Sequence, residues 1–378
     1  MKKTIALVLS LVMCLCLFAA CGNSNEANTP ADTSKPVDTS KPADTSAPAD
    51  SSGIEGDEDG DGYVDTPTYE WQMPSTEASG RPISKAMQRF ADAVYEATKG
   101  DVKIEVCPDG LLGDYTTNFE EIMLGTLAIQ ANTMSTDYDP RLVMTRIPYI
   151  ASSYDDMENT KEGSWYYDQL NIVLNDLGAE LISNWPSGFQ GIGGTSVGDV
   201  STLFDPSVKQ DAICRVPSIT STLATAEAYG FTTVTIAYSD LYSALQTGMC
   251  DCFMGCTDID TALNFGDVAT YFVYANYILQ TQPVVMNKEI FDSLPEDYQR
   301  IIKDCAEAEF DTICDELEQY SADVAGQMAD LGIETYTPSE EELNGFVDHV
   351  YKNVWPSIEE MLGTEFYEGL MEAFDVQI

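Results

Sequence analysis

Apolar residues recur along the chain in two spacings, and the spacing changes from one segment to the next. After Pro82 they stand three and four residues apart, as on one face of a helix, and Gly100 ends the segment. In VKIEV, which begins at Val102, every second residue is apolar, so this segment is a predicted strand. The apolar positions of the helix are Ile83, Met87, Phe90, Val94 and Ala97.

The same order of strand, helix and strand continues through the middle of the chain. Further predicted strands carry the sequences TYEWQM, LAIQA, LISNW, AICRVP, TTVTIA and DCFMGC. Strands that alternate with helices predict a parallel sheet covered by helices, which is an α/β fold. A long helix is expected from about Pro295 to Leu331, and Ser339 with Glu342 forms a capping box for the last main helix.

The first 66 residues lack this pattern and are interpreted as export and tether segments. Residues 1–20 carry Lys2 and Lys3 before an apolar run too short to span a membrane, which predicts a signal peptide. The ending LFAAC resembles a lipobox, so Cys21 is the expected lipid-bearing residue. Residues 21–66 are rich in Pro, Thr, Ser and Asp and predict a disordered tether on the outer face of the cell membrane.

Net charge and cysteine content limit the kinds of partner and metal that the protein is expected to bind. The formal net charge of -45 disfavours nucleic acid and anionic membrane surfaces, so no nucleic-acid partner is expected. Seven cysteines follow Cys21, and an odd number leaves at least one free thiol. A zinc site at CDCFMGC is disfavoured because the chain has one His, and buried free thiols are the preferred interpretation.

The segment DEDGDGYVD, between the tether and the domain, has the spacing of a calcium-binding loop. Gly62 stands at position 6, where such a loop turns, but Thr68 stands at position 12 in place of the usual Glu. A calcium site and a plain acidic spacer therefore both remain open, and no other cofactor is expected. The carboxylates at positions 1, 3, 5 and 9 are Asp57, Asp59, Asp61 and Asp65.

Enzymatic chemistry finds little support in the sequence. The single imidazole, His349, lies in the helical stretch GFVDHVYKNVW, where a structural or exposed position is usual. The segment GFQGIGG at 188–194 is similar to a phosphate loop, but the Gly-Lys-Ser/Thr that such a loop needs does not follow. A protein that is not an enzyme is therefore expected.

The stretch AICRVPSIT holds Arg215, one of six arginines in the chain, between short apolar residues. A guanidinium stays charged in a protein interior and needs a negative partner there. The residues alone leave two partners open, an internal acidic residue such as Asp211 or Asp251 and an anionic ligand from outside.

Six motifs follow one another in order between Tyr69 and about Phe374. They are GDVKIEVCPDGLLGD, FEEIMLGTLAI, IPYIASSYDDM, ICRVPS, SDLYSALQTGMCD and NKEIFDSLPEDYQRII. Together they resemble the extracytoplasmic solute-binding proteins of tripartite ATP-independent (TRAP) transporters. The resemblance implies a two-lobed periplasmic-binding-protein-like α/β fold with a ligand cleft between the lobes and a long spanning helix. Lobe one is expected at 67–190 with about 281–320, and lobe two at 191–280 with about 321–378.

The resemblance also implies roles for single residues. Arg215 would form a bidentate salt bridge with a ligand carboxylate, Ser218 would donate to the ligand, and Tyr238 would cap the cleft. Gln190 stands where some members, notably sialic-acid binders, carry a second Arg, which disfavours that substrate class. The expected lining also includes Gly255, Met134 and Trp71, and Gly255 is expected to leave room for a bulkier acid.

These expectations combine into a lipid-anchored, extracytoplasmic solute-binding protein. It would capture a small organic acid and hand it to the membrane subunits of a TRAP permease. The alternative is a receptor-type binding lipoprotein of similar fold whose ligand is cationic or lacks a carboxylate.

Overall fold

The computed structural model describes residues 54–151, 153–196 and 199–376. The predicted signal peptide, Cys21 and the tether up to residue 53 lie outside the described residues. The strands are β1 (Tyr69–Pro74), β2 (Val102–Cys107), β3 (Ile129–Ala131), β4 (Ala179–Gly194), β5 (Ile213–Val216), β6 (Thr232–Thr235), β7 (Cys252–Thr257), β8 (Tyr271–Asn287) and β9 (Glu334–Tyr336). The α-helices are α1 (Pro82–Ala97), α2 (Tyr115–Leu124), α3 (Trp165–Asp176), α4 (Thr220–Ala228), α5 (Tyr238–Thr247), α6 (Asp258–Asn264), α7 (Lys288–Ser293), α8 (Glu296–Asp330), α9 (Glu340–Asn353), α10 (Trp355–Leu362) and α11 (Thr364–Ala373).

Local sequence accounts for the ends of several helices. Helix α1 begins at Pro82, whose fixed φ suits a first helical position, and buries the predicted apolar face except for Ala97, which is exposed. Helix α5 ends at Gly248, whose φ of 71° is the left-handed conformation that favours glycine. The predicted capping box of Ser339 and Glu342 is confirmed at the start of α9.

The main sheet is mixed, which corrects the prediction of a purely parallel sheet. Its strand order is β3-β8-β4-β7-β5-β6, and β9 pairs with β8. Strand β5 is parallel to both β6 and β7, but β4 runs antiparallel to β7 and β8. Strands β1 and β2 form a separate parallel pair. The long antiparallel pairing of β4 with β8 therefore forms the middle of the sheet.

Two clusters of buried apolar side chains cover the opposite faces of this sheet. Along β7, Cys252 and Met254 belong to one cluster, whereas Phe253 between them belongs to the other. Successive side chains of a strand point to opposite faces, so this alternation assigns one cluster to each face. Helices α3, α9, α10 and α11 contribute to the first cluster, and α1, α5 and α8 contribute to the second.

The glycines of β4 serve close packing against neighbouring strands. A Cβ at Gly191 would lie 2.3 Å from Cζ of Phe272, and one at Gly193 would lie 2.4 Å from Cζ of Phe253. The segment that is similar to a phosphate loop is thus a buried strand whose glycines leave space for aromatic rings.

Helix α8 confirms the predicted long helix, with 35 residues from Glu296 to Asp330. At 1.5 Å of rise for each residue it is roughly 50 Å long. The indole nitrogen of Trp185 on β4 donates to the carbonyl oxygen of Ala306 at 2.8 Å, which fixes the helix against the sheet. Within the described residues, α8 and the other helices are each too short or too polar to cross a bilayer.

Candidate functional site

A cavity lies where the ends of β5 and β7 meet the middle of β4 and β8. Four of the residues predicted from the sequence line it, namely Arg215, Gln190, Tyr238 and Gly255. Most of the lining residues have polar side chains, and both charge signs are present. The other lining residues are Thr76, Glu77, Tyr115, Thr133, Arg146, Pro217, Ile219, Asp260, Gln280 and Gln282.

Arg215 projects from β5 and is only 1% exposed. Its Nε donates to the carbonyl oxygen of Ile236 at 2.8 Å, and its Nη1 lies 3.4 Å from the carbonyl oxygen of Met254. No carboxylate of the described residues lies within ion-pair distance of Arg215, and its Nη2 has no partner among them. Asp251 instead accepts from the backbone N–H of Ile213, so the internal ion pair considered for it is not formed.

Gly255 allows the backbone of β7 to approach Pro217, beside Arg215. Its φ is +89°, and a Cβ there would lie 2.8 Å from Cδ of Pro217 and 3.6 Å from Nη1 of Arg215. The space expected beside this glycine is therefore occupied by the Pro217 ring. The glycine therefore serves the close packing of β7 against Pro217 and does not enlarge the cavity.

Arg146 places a second guanidinium in the cavity wall, at the end of the 3-10 helix Pro140–Arg146. It is 1% exposed, and its Nη atoms donate only to neutral oxygens of Thr133, Thr145 and Thr281. Its Nε is buried and has no partner in the described part of the chain. Burial lowers the pKa of Arg146 to about 10, because no close carboxylate stabilises the charged form.

Arg81 is a third buried arginine, and its surroundings are different. Its Nη1 lies 2.5 Å from Glu77 Oε2 and 2.5 Å from Asp260 Oδ1. Burial by itself would lower the pKa of Arg81, but the charges of Asp260 and Glu77 outweigh burial and raise it. Arg81 is therefore neutralised within the protein, whereas Arg146 and Arg215 have no such partner among the described residues.

A chain of amides on β4 and β8 links the cavity to Glu77. Gln282 and Gln280 both donate to Glu77 Oε1, and Gln190 donates to Gln280 Oε1 at 2.7 Å. Because a carboxylate can only accept, the Nε2 atoms must face it, and the order of donors along the chain is fixed. Gln190 Oε1 is left without a described partner and is an available acceptor.

Two phenols complete the lining. The hydroxyl of Tyr238 donates to Asp260 Oδ1 at 3.1 Å and accepts from Asn264 Nδ2 at 2.7 Å. Burial raises the pKa of Tyr238 well above its usual value, so the phenol stays neutral. Tyr115, at the start of α2, is also buried, but its hydroxyl makes no hydrogen bond to the described residues.

Three residues predicted for the site lie outside this cavity. Ser218 donates to Asp137 Oδ2 at 2.8 Å, Met134 is buried in the apolar core, and Trp71 packs beside the Tyr69 ring on β1. Sequence reasoning did not select Arg146, although it stands alone in the apolar stretch LVMTRIPYI much as Arg215 stands in its own. For Tyr115 and for the amides Gln280 and Gln282 of β8, the sequence gave no comparable indication of a place in the site.

The segment DEDGDGYVD at 57–65, here called the acidic junction, forms a compact group of carboxylates away from the cavity. Ligand oxygens of Asp57, Asp59 and Asp61 all lie within 4.8 Å of one another. Asp57 accepts from the backbone N–H of Gly60 at 2.7 Å. Asp65 is outside this group, and its carboxylate accepts from the N–H of Glu58.

Comparison with protein families gives one match that covers most of the chain. The model for bacterial extracellular solute-binding proteins of family 7 matches residues 73–360. Among curated proteins, the 2,3-diketo-L-gulonate-binding periplasmic protein of Escherichia coli is 20% identical over 59% of this chain and 67% of its own length. The sialic acid-binding periplasmic protein of Vibrio cholerae is 21% identical over 70% of this chain and 81% of its own length.

Solved structures have the same fold. A TRAP periplasmic solute-binding protein from Desulfovibrio salexigens with bound orotic acid has a TM-score of 0.74 at 20% identity, covering 81% of this chain and 99% of that one. Another from Sulfurospirillum deleyianum with bound succinate has a TM-score of 0.72 at 17% identity, covering 82% and 100%. The predicted two-lobed α/β fold is confirmed, while the lobe boundaries stay predictions.

Proposed function

Because the chain belongs to the bacterial extracellular solute-binding proteins of family 7, the solute receptors of TRAP transporters, we propose that it captures a small organic acid outside the cytoplasm. The bound acid passes to the membrane subunits of a TRAP-type permease. The family is one of transport proteins, and the proposal includes no catalytic step.

Arg215 carries this proposal. An uncompensated guanidinium buried in a protein costs several kcal/mol, and a carboxylate offers two oxygens that match its fork of donors. Arg215 reaches the cavity with Nη2 unpartnered among the described residues, so it lacks the negative charge that a ligand would supply. A cationic ligand is less compatible with this wall, because Glu77 and Asp260 are already paired with Arg81.

The relatives support the choice of an organic acid. Diketogulonate, sialic acid, orotic acid and succinate, named for the four proteins above, all carry a carboxylate. In this chain the remaining contacts would come from neutral groups, with Gln190 accepting from a ligand hydroxyl and Tyr238 closing one side. Binding energy from Arg215 would favour the closed cleft over the open one, which is a shift of population by differential affinity.

Thermal unfolding of the full chain with a panel of organic acids tests the proposal. We expect one or more acids to stabilise the wild-type protein, and Arg215→Met to lose this effect, since truncating a buried charge pair costs about 2–5 kcal/mol of binding. Arg300→Met is the matched control, because the Arg300 side chain is 71% exposed and its loss should have far less effect on ligand-dependent stabilisation. Retention of acid-dependent stabilisation in Arg215→Met, or stabilisation by organic cations alone, would contradict the proposal.

We propose in addition that Cys21 carries lipid and that residues 21–66 tether the domain to the outer face of the cell membrane. The expected observation is incorporation of a fatty-acid label into the wild-type chain and none into Cys21→Ser. Label in both proteins would refute the anchor without affecting the ligand proposal.

The acidic junction is proposed to bind calcium weakly, on the strength of the grouped carboxylates of Asp57, Asp59 and Asp61. Calcium would neutralise part of the repulsion between these carboxylates and stiffen the start of the domain. Calorimetric titration of the full chain with calcium should give heat that Asp57→Asn abolishes. Equal heats for the two proteins would leave the segment as an acidic spacer.

A further inference from the structure

Two buried cysteines lie side by side next to the cavity, on strands β5 and β7. Cys214 and Cys252 are register partners in the parallel pairing of these strands, and both side chains belong to the first apolar cluster. They therefore project from the same face of the sheet at directly neighbouring positions. In the strand pairings of the described residues, no other two cysteines are register partners.

The two thiols contact each other and are not part of the cavity lining. Both are fully buried and both are free thiols. Sγ of Cys214 donates to the carbonyl oxygen of Arg215 at 3.5 Å, and Sγ of Cys252 donates to the carbonyl oxygen of Ile213 at 3.8 Å, so both sulfurs lie against the backbone of β5. Burial, together with a hydrogen bond to Cys252, raises the pKa of the Cys214 thiol well above its usual value. A single buried thiol is inert, but two thiols in contact can be oxidised together.

The spacing of the strands allows a disulfide at this pair. Neighbouring strands lie about 4.7–4.9 Å apart, which is within the roughly 4.4–6.8 Å between Cα atoms that a disulfide spans. The Cβ atoms of a disulfide lie about 3.8 Å apart, so β5 and β7 would have to approach each other by roughly 1 Å here. A cross-link that requires such a shift is more easily reduced than a relaxed one, so its formation is reversible.

The two cysteines adjoin the residue that is proposed to bind the acid. Arg215 follows Cys214 on β5, and its register partner Phe253 follows Cys252 on β7. Nη1 of Arg215 also lies 3.4 Å from the carbonyl oxygen of Met254 on β7. A shift of β5 against β7 at the cysteines therefore displaces the guanidinium relative to the cavity.

From this arrangement we propose that Cys214 and Cys252 are a site of reversible oxidation to a disulfide, and that the cross-link weakens acid binding at Arg215. The oxidant is a small disulfide such as glutathione disulfide. One cysteine thiolate displaces a glutathione and forms a mixed disulfide, and the other thiolate then displaces the second glutathione. Two S–H bonds give way to one S–S bond, and the two electrons and two protons leave with two molecules of glutathione. The effect on binding rests on the proposed function, whereas the cross-link does not.

Complete burial determines when the reaction takes place. An oxidant reaches the two thiols only while β5 and β7 are apart, either during folding or in a transient local opening of the sheet. Oxidation should therefore be slow in the native chain and much faster during refolding.

Refolding of the full chain in a glutathione redox buffer tests the cross-link. The reduced chain, unfolded in urea, would be refolded at stepped ratios of glutathione disulfide to glutathione, then alkylated, digested and mapped by mass spectrometry. We expect one linked pair of peptides, Cys214 with Cys252, which a dithiol reductant separates. Cys252→Ala should abolish this linked pair, and Cys314→Ala, a change on α8, should retain it.

Two results would overturn the cross-link. One is that both cysteines remain alkylated in every buffer, and the other is that they are linked to different cysteines. The wild-type map needs no variant, so misfolding of Cys252→Ala leaves this comparison decisive.

Calorimetric titration of the reduced and the cross-linked chain with a panel of acids that includes succinate and orotate tests the effect on binding. An acid that binds the reduced chain should bind the cross-linked chain up to about 100-fold more weakly, since a misplacement of roughly 1 Å in a positioned group has an effect of that size. Equal affinities of the two forms would overturn the effect on binding and leave the cross-link in place. Binding of none of these acids to the reduced chain would overturn the proposed function and the effect on binding together, while the peptide map would still decide the cross-link.

Discussion

The buried charge cluster around Arg81 makes a strong prediction about stability. Arg81 is fully buried, contacts Glu77 and Asp260 at 2.5 Å each, and also donates to the carbonyl oxygen of Ser187. The substitution Arg81→Met removes the cation and leaves two carboxylates buried without it. The retained carboxylates, more than the lost contacts, determine the cost.

The size of the effect follows from the burial of the partners. Breaking a buried ion pair by removing one member costs about 3–5 kcal/mol, a large share of the roughly 5–15 kcal/mol by which a domain is stable. Arg89 on α1, the helix that follows Arg81, offers a control, because it pairs with Glu309 and Glu316 but is 35% exposed. Exposed pairs contribute about 0–1 kcal/mol, so Arg89→Met should be mild.

The cost of Arg81→Met should also depend on pH in a definite direction. Burial raises the pKa of Glu77 above its usual value of 4.5, and Arg81 partly opposes that rise. Removing Arg81 raises the pKa of Glu77 further. A folded-state pKa above the unfolded value gives stability that is present below the unfolded pKa and lost as pH rises through the folded pKa. The variant should therefore be closest to wild type near pH 4.5 and weakest at neutral pH and above.

Urea unfolding at pH 4.5 and pH 7.5 measures both effects. The free energies of unfolding of wild type, Arg81→Met, Arg89→Met and the double variant Arg81→Met/Glu77→Gln would be compared at each pH. We expect the double variant to recover part of the loss at pH 7.5, because one buried charge is gone. The reasoning is refuted if Arg81→Met costs no more than Arg89→Met, or if its cost is the same at both pH values.

Three further changes have defined outcomes. Gly191→Ala should lower the urea midpoint by an amount equivalent to about 1–3 kcal/mol, since the new Cβ would lie 2.3 Å from Phe272 Cζ; Gly326→Ala, where a Cβ meets open space, is its control. Trp185→Phe should cost about 1 kcal/mol or more in thermal unfolding, because the indole hydrogen bond to the Ala306 carbonyl is lost. Burial raises the pKa of the Cys314 thiol to about 12, so maleimide should label Cys314 slowly in the native chain at pH 7.5 and faster once the chain is unfolded. Fast labelling of Cys314 in the native chain would contradict this.

Periodic segments could be predicted from the sequence, whereas segments buried on both faces could be predicted only in part. Helix α8 and the α9 capping box followed from spacing and caps. Strand β4 is buried along nearly all of its 16 residues, so it lacks the alternation that identifies a strand; only its LISNW segment was predicted as a strand, and its glycines suggested a loop. Its antiparallel partner β8 begins at Tyr271, 77 residues after β4 ends at Gly194, and register over that separation is a tertiary property.

The candidate site was predictable where a single residue type was decisive. Arg215 stood out because a permanent cation among apolar residues needs a partner, and the described structure supplies no acidic one. Arg81 stood in the polar loop STEASGRP, which gave no sign that its partner Asp260 lies 179 positions away. Arg81 is neutralised by acidic side chains and Arg215 is not, and this difference depends on long-range packing.

Three of the six arginines are buried together with four acidic residues, Glu77, Glu180, Asp258 and Asp260, so the buried charges nearly cancel and the net charge of -45 belongs almost entirely to the rest of the chain. An anionic solute of the proposed kind would approach through a repelling potential and meet attraction only after entering the cleft. Dissolved ions screen that long-range repulsion more than they weaken a contact between buried charges. The capture rate should therefore rise with ionic strength, the reverse of what is found for receptors that steer their ligands by complementary surface charge.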